Sequence, residues 1–129
     1  MNRFFTLLAV GSGIIAGLVS IYIVPSQVEI GLWLILIIAL GAVTQRYLKE
    51  KLFLRSFLYG GITGMFVTLI HVLLITDYLA SHAQEALAME EYGFGSDRLT
   101  LLVFAPVYWI MLGLLTGLAA ITWRKFRAD

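Results

Sequence analysis

The chain has 129 residues, 60% of them hydrophobic and only 13% charged, with a formal net charge of +1 and a mean hydropathy of +0.92. Soluble domains carry about 25% charged residues, so this balance excludes an ordinary water-soluble fold, and no nucleic-acid partner is expected. The absence of cysteine removes disulfides, thiolate metal sites and thiol nucleophiles.

A bilayer's hydrocarbon core is about 30 Å thick and a helix rises about 1.5 Å per residue, so about 20 apolar residues span it. The first such stretch covers residues 4–24. Met1-Asn2-Arg3 followed by apolar residues imitates a signal peptide, but the run continues beyond an h-region and no A-x-A-like cleavage site closes it. A retained helix is expected. Pro25-Ser26 cannot continue its hydrogen-bond ladder, and the short connection to the second stretch, 30–47, makes an antiparallel hairpin.

Between Gln45 and Arg55 basic residues alternate with large apolar ones, the pattern of a short helix lying in the headgroup region. Its charge suits an anionic leaflet. The third span covers 57–79. Residues 80–92 are good helix formers with no Gly or Pro before Gly93, so they either prolong the third helix or fold along the surface. Tyr92-Gly93-Phe94-Gly95 then breaks the helix, and Ser96 or Asp97 caps the fourth span, 99–123. Pro106 lies inside that span and predicts a kink.

Eight of the nine basic residues fall at the N-terminus (Arg3), in the second connection (Arg46, Lys49, Lys51, Arg55) or at the C-terminus (Arg124, Lys125, Arg127); Arg98 is the exception. Short loops rich in Lys and Arg stay cytoplasmic. The expectation is one all-α domain, residues 1–129, forming a four-transmembrane-helix bundle in the cell inner membrane. Both termini are cytoplasmic (N-in/C-in), and a short extracytoplasmic helix joins spans three and four. Tyr22, Trp33, Tyr78 and Trp109 near one boundary, with Phe53, Tyr59, Trp123 and Phe126 near the other, form the expected aromatic belts.

Small residues mark the packing faces. Gly13 and Gly17, Gly60 and Gly64, and Gly113 and Gly117 are all GxxxG pairs, each able to let another helix approach closely. Gly64, Thr68, His71, Ile75 and Tyr78 recur at helical spacing and share one face, which points into the protein. His71, with Thr68, is a candidate intramembrane polar site, because ionisable residues inside a membrane are functional candidates. With no carboxylate inside the membrane to accompany it, the preferred reading is a hydrogen-bonded packing histidine. On the outer face Asp77 either pairs with Arg98 or marks the end of the hydrocarbon region. If the third helix continues straight, His82 and Glu85 form an i, i+3 pair beyond the membrane; two ligands do not make a metal site, so a solvated surface helix is preferred.

No phosphate-binding loop, His-Glu-x-x-His helix or nucleophile with base and orienting acid is visible. No catalytic residue, metal or cofactor is therefore expected. The four-helix plan, the glycine-rich third helix ending in Asp77-Tyr78, the polar insertion and the basic tail Arg124-Lys125-Phe126-Arg127 together resemble a family of uncharacterised small bacterial membrane proteins. That resemblance implies a four-helix fold and no particular activity. The leading functional expectation is a non-catalytic interaction or structural subunit that packs on a membrane-protein partner through its GxxxG faces. The alternative is a small homo-oligomeric transporter or channel.

Overall fold

Asn2 opens the first helix by accepting the Phe4 amide at 3.0 Å, and α1 runs Arg3–Tyr22 until Pro25 forbids continuation. The structure, a computed structural model, describes residues 2–128. After a single 3-10 turn, Ser26–Val28, come α2 (Glu29–Tyr47), α3 (Leu52–Leu73), α4 (Ile75–Ser81), α5 (Ala83–Tyr92) and α6 (Asp97–Ala128). All elements among the described residues are helical, and α1, α2, α3 and α6 are long and apolar enough to cross a membrane.

The glycines dictate how these helices meet. A Cβ added at Gly13 would stand 2.5 Å from the Thr63 carbonyl oxygen, and one at Gly17 2.9 Å from Ile70 Cβ, which seats α1 directly on α3. On the other side of α3, Gly60 would clash with Thr116 Oγ1 at 2.6 Å, Gly113 with the Phe57 carbonyl oxygen at 2.7 Å and Gly117 with the Phe53 ring at 2.8 Å. Gly64 approaches the Trp109 backbone at 3.3 Å. Thus α3 lies between α1 and α6, while Gly41 brings α2 against Ala119 and Ala120 of α6. Lipid offers no hydrophobic drive for association, so this backbone proximity supplies the dispersion contact that holds the helices together. All six GxxxG glycines thus have close neighbours within the chain.

Buried hydroxyls stitch the same interfaces. Thr63 donates to the Ala9 and Tyr59 carbonyls at 3.1 and 3.0 Å, and Ser56 donates to Thr44 at 2.9 Å. The α1 start, the α2–α3 turn and the α6 end lie together, as the packing of Phe5, Leu48, Leu52, Tyr59 and Ala120 in one cluster requires.

Three boundaries differ from expectation. No separate interfacial helix occupies 45–55, because Leu48 and Leu52 plug into that cluster and leave a turn of only Leu48–Lys51 between α2 and α3. Lys51 closes it with φ 46°, the left-handed region. The span expected at 57–79 starts at Leu52 and is broken at Leu74, where ψ reaches 37° without a Gly or Pro; α4 then resumes in a new direction. A second break at His82, with ψ 70°, turns α5 back over this end of the bundle, where Met89 packs on Ile21, Ile75, Tyr78 and Leu101. Residues 80–92 therefore neither prolong α3 straight nor form one helix. Ser96 does cap α6, accepting the Leu99 amide at 3.2 Å, and α6 runs through Pro106 as one element.

Candidate functional site: a buried polar stack beside a cavity

The break at Leu74 changes what the third-helix stripe can reach. Gly64, Thr68, His71, Ile75 and Tyr78 are all buried. Thr68 donates to the Gly64 carbonyl at 3.0 Å and accepts the Trp109 indole N–H at 3.1 Å, tying α3 to α6. His71 Nε2 meets Ser20 Oγ of α1 at 2.8 Å. Its ring lies 4.2 Å from that of Tyr78 at 19°, and Tyr78 lies 4.4 Å from His82 at 28°, so three rings from two helices stack in one column. The Trp33 ring of α2 meets the side of His71 edge-on at 6.5 Å.

At the end of the column His82 is completely buried, which overturns its reading as part of a solvated surface helix. The φ/ψ break at His82 itself rotates the ring inward. Its Nε2 lies 3.0 Å from Glu29 Oε2, and its Nδ1 lies 3.0 Å from the Tyr78 carbonyl and 2.8 Å from Ser81 Oγ. A carbonyl only accepts, so the Tyr78 contact is a hydrogen bond when Nδ1 carries a proton. The contact between His82 Nε2 and Glu29 Oε2 pairs the two groups inside the fold. That satisfies the requirement that buried charge be matched and hydrogen-bonded.

Glu29 belongs to α2, as its first residue, rather than to a surface loop, and its side chain is only 11% exposed. A carboxylate therefore lines the same cavity as His71, although its hydrogen bond is to His82. Glu29, Glu85, His71, Thr68, Trp33, Tyr78 and Tyr108 all contribute to the wall of one cavity of about 360 Å³, whose remaining surface is mostly aliphatic. This volume falls in the range of small-molecule sites. Within it Glu85 is distinctive, because its Oε2 is shut off from solvent and has no hydrogen-bond partner among the described residues. The outer-face pairing expected for Asp77 is not made with Arg98. Asp77 accepts the Tyr22 hydroxyl, whereas Arg98 Nε donates to the Val72 carbonyl at 3.3 Å.

Thr68, His71 and Glu85 thus gather at the cavity, His82 closes its column through Glu29, and Asp77 stands apart on the α1 side. Ser20 and Glu29 are the partners that sequence patterning did not assign. A carboxylate directly ahead of an uninterrupted apolar run is the one signal that pointed to Glu29. No protein-family model, curated protein or solved structure matches this chain.

Proposed function

We propose that this chain is a small multi-pass membrane protein that binds an amphipathic organic cation in the cavity between α2, α3, α5 and α6. The carrying observation is Glu85 Oε2, a shielded and unpartnered carboxylate oxygen in the wall of a cavity where Glu29, His71 and Thr68 already have hydrogen-bond partners. An unmet acceptor of this kind favours a positive charge or a donor, because leaving it bare costs its full desolvation penalty. Trp33 and Tyr108 add aromatic rings of the kind that attract cations, and the aliphatic part of the wall suits an apolar body. Glu29 does not compete for this role, since His82 already balances it.

The segregation of basic residues supports an inner-membrane orientation with Lys51 and both termini in the cytoplasm, which puts the cavity in the extracytoplasmic half. In the other half Gly60, Gly113 and Gly117 pack α3 closely against α6, which leaves no gap between these two helices for a path through a single copy. The function is therefore binding, and transport would require a second copy or a rearrangement. Benzyltrimethylammonium and its uncharged carbon analogue neopentylbenzene share a shape and differ in charge, which makes them suitable probes. Titration into the detergent-solubilised chain should quench tryptophan fluorescence with the cation saturably and with at least about tenfold preference, a difference of about 1.4 kcal/mol. The quenching should shrink in Trp33→Phe. Equal binding of both compounds would leave an apolar cavity without charge selection and overturn the reading.

A further inference from the structure

The opposite end of the bundle carries a second and larger hollow, about 850 Å³, between the start of α1 and the α2–α3 turn. Its floor includes Phe5, which is buried, while Phe4, Leu54 and Leu58 stand exposed along its sides. Lys51 and Arg55, one helical turn apart, also line it. Both are exposed, neither belongs to an ion pair among the described residues, and no acidic residue contributes to the wall. Lys51 is moreover the only residue other than glycine at positive φ among the described residues. Backbone of that kind is disfavoured for a lysine, and here it holds the side chain at the hollow's edge.

The geometry points to a seat for one anionic phospholipid, with its acyl chain along Phe4, Leu54 and Leu58 and its phosphate between Lys51 and Arg55. The hollow sits where α1 begins, α2 ends and α3 begins, the ends of three helices long and apolar enough to cross a membrane. Basic pockets between such helices bind anionic headgroups, each Lys or Arg adding favourable attraction near the surface. The charge is complementary as well: two cations without internal partners face a ligand that brings net negative charge, which a zwitterionic lipid lacks.

The test uses the full chain in a neutral detergent, with phosphatidylglycerol, phosphatidylcholine and inorganic phosphate as separate probes. Native mass spectrometry should retain one phosphatidylglycerol per chain in preference to phosphatidylcholine, and phosphatidylglycerol should raise Tm saturably while inorganic phosphate does not. In Lys51→Asn/Arg55→Gln retention should fall roughly tenfold, equivalent to about 1.4 kcal/mol; Asn suits the left-handed backbone that Lys51 adopts. Arg124→Gln/Lys125→Gln, which removes the same charge from the α6 end, should retain the lipid. Unchanged lipid-free Tm and tryptophan fluorescence in the double variant separate loss of the seat from loss of the fold. If the double variant does not fold, Leu58→Trp, which fills the hollow and keeps both charges, should lower retention instead. Equal retention of the two lipids by the wild type, equal retention by the variants, or stabilisation by inorganic phosphate as large as that by lipid would each overturn the proposal.

Discussion

Glu29 Oε2 lies 3.0 Å from His82 Nε2, joining the first residue of α2 to the residue at which α4 ends, 53 positions along the chain. This pair fixes the fold-back of α5 and so builds the roof of the cavity. Removing one partner leaves the other buried without a match, a larger loss than the net worth of the pair. Glu29→Leu should destabilise the protein by about 2 kcal/mol, and a double-mutant cycle with His82→Leu should recover about 1 to 2 kcal/mol of coupling. Reversible unfolding in mixed micelles measures both. A coupling near zero would mean that the two side chains act independently.

His71 is expected to tolerate glutamine better than leucine. Glutamine retains a group able to bond Ser20 Oγ, whereas leucine strands that hydroxyl in a closed interface. His71→Leu should cost about 1 to 2 kcal/mol, the scale of an interhelical hydrogen bond in a membrane, and His71→Gln clearly less. The same unfolding assay decides it, and equal losses would remove the Ser20 bond as the reason for a polar residue here.

Glycine substitutions should divide by what surrounds each one. Gly60→Ala and Gly117→Ala push a Cβ to 2.6 Å from Thr116 Oγ1 and 2.8 Å from the Phe53 ring, so each should cost about 1 to 3 kcal/mol by forcing α3 and α6 apart. Gly11 and Gly31 have nothing within 4 Å of a new Cβ, and alanine there should stabilise by roughly 0.5 to 1 kcal/mol through helix propensity. Thermal unfolding of the four single variants should yield opposite signs for the two pairs.

The parts of this structure that depend on local pattern were legible in the sequence. Four apolar runs define the spanning helices, and the spacing of Gly64, Thr68, His71, Ile75 and Tyr78 defines one buried face, because period and hydropathy are properties of neighbouring residues. The site escaped for the converse reason. Glu29 and His82 meet only because α3 breaks at Leu74 and again at His82, and neither break carries the Gly or Pro by which a helix stop is read. Leu48 and Leu52 similarly looked like a lipid-facing alternation until Phe5 and Tyr59 gave them a core to enter. GxxxG spacing identified close approach correctly but could not distinguish a partner within the chain from one outside it.

The proposed orientation rests on the basic residues and is open to direct measurement. Reporter fusions after Asp129 and within Lys49–Lys51 should report cytoplasm, and one within Ala86–Glu91 the extracytoplasmic side. Joint replacement of Arg46, Lys49, Lys51 and Arg55 should weaken the bias. Reports on opposite sides from the first two fusions would contradict an even number of crossings.

Cation binding at Glu85 is the central claim, and calorimetric titration of benzyltrimethylammonium into the wild type, Glu85→Gln and Glu29→Gln tests it most directly. Glu85 has no partner to lose, so Glu85→Gln should fold with Tm unchanged or raised while affinity falls by about tenfold or more, the loss of one partly desolvated charge contact of about 1.4 kcal/mol. Glu29→Gln should lower Tm yet leave affinity within about threefold at temperatures where it remains folded, because His82 already engages that carboxylate and affinity changes follow differential contact alone. Wild-type affinity retained in Glu85→Gln, or lost in a folded Glu29→Gln alone, would contradict the assignment of Glu85 as the group that meets the cation.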